Sequence, residues 1–133
     1  MKRGIVIDFE TTGIDPVYSS IVQASGVLFD LETFEILDQF DLRARMKKEF
    51  SCFHPKAVLV NHVEMEQLRN HENSNYQLIS QMRNKCLSWG EAIFFGWNNL
   101  SFDRKHLRLG LYQHALPPYL TNTNSNGETD FLK

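Results

Sequence analysis

The sequence predicts an α/β fold, because strand-like and helix-like patterns alternate along its 133 residues. Residues 2–10, 21–29 and 34–42 are rich in apolar and β-branched side chains, and a turn-forming stretch at 30–33 separates the last two. Residues 75–87 carry apolar side chains at three- and four-residue spacing, which predicts a helix packed on a core. We therefore expect a mixed sheet flanked by helices.

The second half of the chain adds one strand and one helix. Residues 92–95 form the continuous apolar run Ala-Ile-Phe-Phe, which suits a short strand buried on both faces. Residues 102–113 contain two leucines four apart and are followed by a Pro-Pro pair, which predicts a helix that ends before the prolines. The Asn-, Thr- and Gly-rich stretch 121–127 predicts a mobile loop.

Length and composition indicate a single domain over residues 1–133. A chain that is 42% hydrophobic at this length can bury one core but hardly two. Its net charge of −2 argues against a nonspecific binder of duplex DNA that relies on a general basic field. The sequence contains no apolar run long enough for a membrane span or a signal-peptide core, so no membrane association and a cytoplasmic location are expected.

The two cysteines are predicted to be reduced, buried thiols without a chemical role. Cys52 and Cys86 are far apart in sequence and do not form a paired metal-binding motif. A disulfide or a metal role is the alternative.

The first candidate site is an acidic pair where the first strand ends. Alternate residues of a strand share a face, so Asp8 and Glu10 should project together while Ile7 and Phe9 pack behind them. Two adjacent carboxylates repel unless a cation lies between them. Hard oxygen ligands without nearby Cys or His favour Mg²⁺ or Mn²⁺ over Zn²⁺. The alternative is a solvated strand edge or turn.

A third carboxylate, Asp103, is expected in the first turn of the helix that follows strand 92–95. In open α/β sheets ligands collect at the carboxyl ends of the strands, where this helix would begin. Asp103 could alternatively serve only to stabilise the helix dipole. Both acidic clusters follow strand-like runs, and together they predict a metal-dependent nuclease.

Two segments resemble the motifs of a known family, the DEDD (DnaQ-like) exonucleases. Residues 8–13, Asp-Phe-Glu-Thr-Thr-Gly, resemble the first exonuclease motif, and residues 99–103, Asn-Leu-Ser-Phe-Asp, resemble the second. Residues 21–24 are similar to the family's second strand, and residues 55–60 to the stretch that leads into its short helix. The resemblance covers nearly the whole chain and implies a ribonuclease H-like mixed sheet flanked by helices.

The resemblance implies a 3′–5′ exonuclease that hydrolyses single-stranded DNA with a free 3′ end to 5′-mononucleotides, using two Mg²⁺ or Mn²⁺ ions. An enzyme acting on RNA or proofreading mismatched ends is an alternative, and a non-catalytic module that binds metal or nucleic acid is another. The implied catalytic residues and metal ligands are Asp8, Glu10 and Asp103. The implied substrate contacts are Phe9, Thr11, Thr12, Asn99 and Phe102.

The chain departs from the family at two places. Residues 62–64 read His-Val-Glu where the family commonly has Gly-Ile-Thr. The third motif, His-x4-Asp or Tyr-x3-Asp, is absent, and the only acidic residues after Asp103 are Glu128 and Asp130. The general base and the fourth carboxylate are therefore missing, so we expect the amino-terminal part of an exonuclease domain, truncated at its carboxyl end and inactive or weakly active.

Positive charge is concentrated in two places. One lies after the third predicted strand and is expected to be a solvated face; the other surrounds the second motif and could meet a phosphate backbone. The first cluster comprises Arg43, Arg45, Lys47 and Lys48, and the second Arg104, Lys105 and Arg108.

Overall fold

In the part of the chain that the structure describes, five strands form one sheet and three helices of six or more residues accompany it. The computed structural model describes residues 2–15, 17–47, 56, 64–96, 100–118, 120 and 127–130, with no side-chain detail at 100–102 and 127–130. The strands are β1 (Arg3–Thr11), β2 (Ile21–Asp30), β3 (Ile36–Arg43), β4 (Ile93–Gly96) and β5 (Gly127–Asp130). The helices are α1 (Met65–Asn70), α2 (Asn75–Trp89) and α3 (Leu100–Gln113). The predicted mixed sheet flanked by helices is confirmed.

The strand order is β3-β2-β1-β4-β5, which places β1 at the centre of the sheet. β2 is antiparallel to both β1 and β3, whereas β4 is parallel to β1 and β5 is parallel to β4. As a result β1, β3, β4 and β5 end at the same edge of the sheet, and β2 begins there. We call this edge the carboxyl edge, and it brings together segments that are far apart in sequence.

The main core lies between one face of the sheet and the helices α2 and α3. On β1 this face is formed by Ile5, Ile7 and Phe9, none of which is more than 5% exposed. Burying one such side chain stabilises the fold by roughly 1.5–3 kcal/mol. The helical side of the same core contains Leu78, Ile79, Met82, Cys86, Leu107 and Leu111.

Two sets of hydrogen bonds define the beginning of α2, one within its first turn and one to the carboxyl edge of the sheet. A capping box closes the first turn: the Gln77 backbone N–H donates to Ser74 Oγ at 3.1 Å, and the Ser74 N–H donates to Gln77 Oε1 at 2.7 Å. Asn75 Nδ2 donates to the carbonyl oxygen of Ile21, the first residue of β2, at 2.7 Å. The start of the helix is therefore anchored beside the start of β2.

Two sequence predictions about strands were wrong. Strand β4 is not buried on both faces, because Phe94 is 1% exposed whereas Ile93 is 37% exposed. Residue 127 was expected in a loop but begins β5, whose backbone pairs with β4 from Gly127 to Asp130. Pairing with a strand more than thirty residues away has overridden the turn-forming composition. Residues 121–126, the rest of that expected loop, lie outside the described part of the chain.

Cys86 is a free, buried thiol, as expected, and burial raises its pKa to about 12. The prediction for Cys52 falls outside the described residues. Within the part of the chain that the structure describes, no helix has the length and apolar character needed to cross a membrane.

Candidate functional site

Asp8 and Glu10 project from the same face of the central strand. Along the end of β1, Ile7 and Phe9 are buried while Asp8 is exposed and Glu10 partly exposed, so the two pairs of side chains point to opposite faces. Their paired neighbours on the adjacent strand β2 are Ser25 and Gln23, respectively. This confirms that the carboxylates share a face, which is the face opposite to α2 and α3.

The two carboxylates form an electrostatically strained pair. Although Asp8 is an exposed residue, its carboxyl group is partly withdrawn from water, and this desolvation raises its pKa; a hydrogen bond from the Phe9 backbone N–H partly offsets the rise. Desolvation also raises the pKa of Glu10, and the charge of Asp8 adds to the effect. Among the described residues neither carboxylate has an ion-pair partner. Such a pair attracts cations.

The backbone changes register directly after the acidic pair. An irregularity in the β1–β2 pairing lies between Glu10 and Thr11, and bulges of this kind re-aim side chains near active sites. Thr11 Oγ1 then donates to the Gly13 carbonyl at 2.6 Å, and Thr12 Oγ1 accepts from the Ser20 N–H at 2.8 Å. These buried hydroxyls hold the loop that follows β1.

The burial of these residues limits how they could contact a nucleotide. Phe9 and Thr11 are each 5% exposed and Thr12 is fully buried. Contact between these residues and a substrate would therefore use the backbone rather than the side chains. Of the other expected substrate contacts, Asn99 lies outside the described residues, and for Phe102 only the backbone, in the first turn of α3, is described.

Asp103 lies in the first turn of α3, as predicted, and is 5% exposed. It is four and eight residues before Leu107 and Leu111, which pack in the main core, so it is on the side of α3 that faces the sheet. Asp8 and Glu10 project from the other face of that sheet.

Sequence reasoning missed a buried histidine one turn after Asp103. His106 is 3% exposed, and its Nε2 lies 3.2 Å from Ser19 Oγ. Because the Ser19 hydroxyl donates to the Asp15 carbonyl, its oxygen accepts from His106 Nε2–H. The signal that could have found it is the three-residue spacing from Asp103, which places both side chains on the sheet-facing side of α3.

The donor chemistry of Asp8 and Glu10 fits a hard divalent cation, since both supply carboxylate oxygens at adjacent positions. A complete ligand set is not gathered: within the described ranges, no three side chains of Asp, Glu, His or Cys lie close enough to hold a metal ion. The structure therefore brings Asp8 and Glu10 together and does not bring Asp103 into a three-carboxylate group with them.

The fold is shared with exonuclease I. No family model matches the chain, and no curated protein matches it by sequence. E. coli exonuclease I in complex with a dT13 oligonucleotide superposes on 99% of this chain with a TM-score of 0.86 and 19% sequence identity. Its complex with a dA16 oligonucleotide has a TM-score of 0.87 with the same identity and coverage. Product-bound exonuclease I at 1.5 Å gives 0.86 at the same identity and coverage.

This chain spans 28% of the length of each of those oligonucleotide complexes and 30% of the product-bound chain. At 19% identity the likeness establishes the ribonuclease H-like exonuclease fold. It does not by itself carry an activity, a substrate or a partner over to this chain.

Proposed function

We propose that the protein is a metal-dependent 3′–5′ exonuclease of the DEDD (DnaQ-like) type that hydrolyses single-stranded DNA to 5′-mononucleotides. The observation that carries the proposal is the pair of carboxylates Asp8 and Glu10, which share a face of the central strand and have raised pKa values without a cationic partner among the described residues. Electrostatic strain of this kind is typical of functional sites. The exonuclease fold supplies the reaction class.

Asp8 and Glu10 would hold Mg²⁺ or Mn²⁺ from the end of β1, and Asp103, in the first turn of α3, is the third proposed ligand. When bound, such ions lower the pKa of a coordinated water and neutralise charge that develops on a phosphodiester. The backbone at Phe9, Thr11 and Thr12 would position the terminal nucleotide. The strand would enter with its 3′ end at the carboxyl edge, where Asn99 and Phe102 are further candidate contacts.

A non-catalytic module that binds metal or nucleic acid is the second candidate. It is favoured by one observation: the described carboxylates do not include a group of three that could hold an ion. A nuclease that acts on RNA or proofreads mismatched ends would use the same pair of carboxylates. Selectivity between RNA and DNA depends on contacts with the 2′-hydroxyl.

The test is single-turnover digestion, with the protein in excess over a 5′-labelled oligothymidylate in Mg²⁺. We expect the labelled strand to shorten one nucleotide at a time. EDTA should stop this shortening, and Asp8→Asn or Glu10→Gln should abolish it. Asp15→Asn serves as the matched control, because Asp15 is an exposed acid on the loop after β1. Metal-dependent binding without any cleavage would favour the binding module. Cleavage that survives both site substitutions would refute the proposal.

A further inference from the structure

A cleft of about 720 Å³ opens at the β3 side of the carboxyl edge. Its described lining comes from four separate segments: the loop after β1, the segment after β3, the start of α2 and the end of α3. Asp8, Glu10 and Asp103 are not among its lining residues, so the cleft is distinct from the candidate metal site. Its volume is in the range of small-molecule and cofactor pockets.

The cleft carries two positive charges, and within the described part of the chain neither is paired with a carboxylate. Lys47 Nζ donates to the amide oxygen of Gln113 at 2.7 Å, and one nitrogen of the Arg45 guanidinium donates to the carbonyl oxygens of His71 and Glu72 at 3.0 and 3.1 Å. All of these acceptors are neutral. No acidic side chain is found among the described residues that line the cleft. The electrostatics therefore favour an anionic ligand.

The pKa shifts of Lys47 and His114 are consistent with a positively charged cleft. Burial lowers the pKa of Lys47, because desolvation disfavours the charged ammonium group. Burial and the charge of Lys47 lower the pKa of His114, so this imidazole is neutral at pH 7. The positive charge of the cleft at that pH is carried by Arg45 and Lys47.

The walls of the cleft are held in place before any ligand arrives. The Asn75 amide nitrogen is occupied by the Ile21 carbonyl, so Asn75 Oδ1 accepts from His114 Nε2–H at 3.1 Å. Gln113 Nε2 donates to the Val17 carbonyl at 3.1 Å while its oxygen holds Lys47. Groups fixed in this way lose less conformational entropy on binding.

Two aromatic rings accompany the charges. Tyr18 is 51% exposed and Tyr76 is 49% exposed, and both line the cleft. The Tyr76 and His114 rings pack in a T-shaped arrangement with their centroids 5.5 Å apart. Cationic side chains next to half-exposed aromatic rings are how proteins bind single-stranded nucleic acid, with phosphates on the cations and bases on the rings.

A short hydrogen-bonded path connects the cleft to the acidic pair. The Lys47 N–H donates to Ser20 Oγ at 2.9 Å, and the Ser20 N–H donates to Thr12 Oγ1 at 2.8 Å. Thr12 is two residues after Glu10. Both sites lie at the carboxyl edge of the sheet, the acidic pair at the end of β1 and the cleft beside the segment that follows β3.

We propose that this cleft is a second nucleic-acid subsite, in which Arg45 and Lys47 bind a phosphate of a single strand and Tyr76 stacks on the adjacent base. The inference rests on the proposed nuclease function for the identity of its ligand. It also changes the interpretation of the first basic cluster, which was expected to be a solvated face. Arg45 and Lys47 line a cleft instead.

The test is fluorescence anisotropy of a 5′-labelled 12-residue oligothymidylate in EDTA, where no hydrolysis occurs. Lys47→Gln should weaken binding and reduce the slope of log K against log salt by about 0.7, as expected for one lost phosphate contact on a single strand. Tyr76→Leu should weaken binding roughly 5- to 150-fold through lost stacking. Lys2→Gln is the matched control, since Lys2 is exposed and precedes β1 at the opposite edge of the sheet.

The proposal would be overturned if Lys47→Gln and Tyr76→Leu bind the oligonucleotide with the same affinity as the parent. It would also be overturned if Lys2→Gln loses as much affinity as those two variants. An oligoglutamate peptide of matched charge that binds more tightly than the oligonucleotide would also overturn it, in favour of an acidic protein partner. Asp8→Asn should leave binding in EDTA undiminished while it abolishes cleavage in Mg²⁺. A failure of the subsite is thereby distinguished from a failure of the nuclease assignment.

Titration with thymidine 5′-monophosphate in a ¹H–¹⁵N correlation experiment gives a second readout that does not depend on a variant folding. Backbone shifts at residues 45–47, 74–76 and 113–114 are expected. Shifts confined to residues 8–12 would contradict the subsite.

Discussion

Replacing Asp8 with Asn is expected to stabilise the metal-free protein, because it relieves the repulsion between Asp8 and Glu10. The two residues are two positions apart on one strand, which separates them by about 6.7 Å. Two unit charges at that distance repel by about 0.6 kcal/mol in water and about 2.5 kcal/mol at an effective dielectric constant of 20. Since both side chains retain contact with solvent, we expect a gain closer to the lower figure than to the upper one, about 1 kcal/mol.

Thermal unfolding followed by circular dichroism in EDTA at pH 7 and low salt measures this gain. For a chain of this size 1 kcal/mol corresponds to a rise in Tm of roughly 4 °C. Asp15→Asn is the control, because asparagine retains the oxygen that accepts from the Val17 N–H at 2.8 Å. Added salt should reduce the gain.

The pH dependence of the gain follows from the direction of the pKa shifts. Both folded-state pKa values are raised, so the native state holds its protons up to a higher pH than the unfolded state does. The repulsion is fully present above the raised folded-state values and disappears as the pH falls through them. A gain that persists unchanged below pH 4 would refute the electrostatic reasoning. A Tm lower than that of Asp15→Asn would show that Asp8 has a structural role.

Three further predictions concern stability and turnover. Hydrogen bonds from Lys85 and Trp89 lower the pKa of Asp38 to about 2. In acid titrations the parent should therefore be more stable than Asp38→Asn, with the full difference above about pH 4. The difference should vanish as the pH falls through 2. Leu111→Ala should cost about 2–5 kcal/mol in urea unfolding, because Leu111 is fully buried, whereas Tyr112→Ala, at 71% exposure, should cost less than about 0.5 kcal/mol. Release of mononucleotides by these 133 residues should be slow, because no His stands at the third-motif spacing and general-base catalysis is typically worth 10²- to 10⁴-fold. Digestion at rates typical of hydrolases would contradict this prediction.

Local patterns were sufficient to predict most of the sheet and the two long helices. The strand bounds agree within two residues, because alternation and apolar runs directly reflect which side chains face the core. Only the resemblance implied a short helix after residues 62–64; the local pattern gave no signal for α1, because its six residues contain a single buried side chain, Leu68. It is attached to the sheet by Gln67 Nε2, which donates to the carbonyl oxygens of Val22 and Ala44 at 2.9 and 3.2 Å. Such a contact has no local sequence signal.

The candidate site was predictable only where one strand determines it. The period of a β-strand is enough to place Asp8 and Glu10 on one face. The position of Asp103 relative to them depends on which face of the sheet α3 covers, and that is a tertiary property. The cleft around Lys47 was not predictable for the same reason, because four segments distant in sequence form it.

Calorimetric titration of Mn²⁺ into the metal-free protein tests the central claim most directly, because the claim is that the carboxylates of β1 form a divalent-metal site. The parent and Asp15→Asn should bind the ion weakly and equally, Asp103→Asn should bind it more weakly, and the double variant Asp8→Asn/Glu10→Gln should not bind it. Equal binding by the parent and the double variant, or no binding by the parent, would contradict the account.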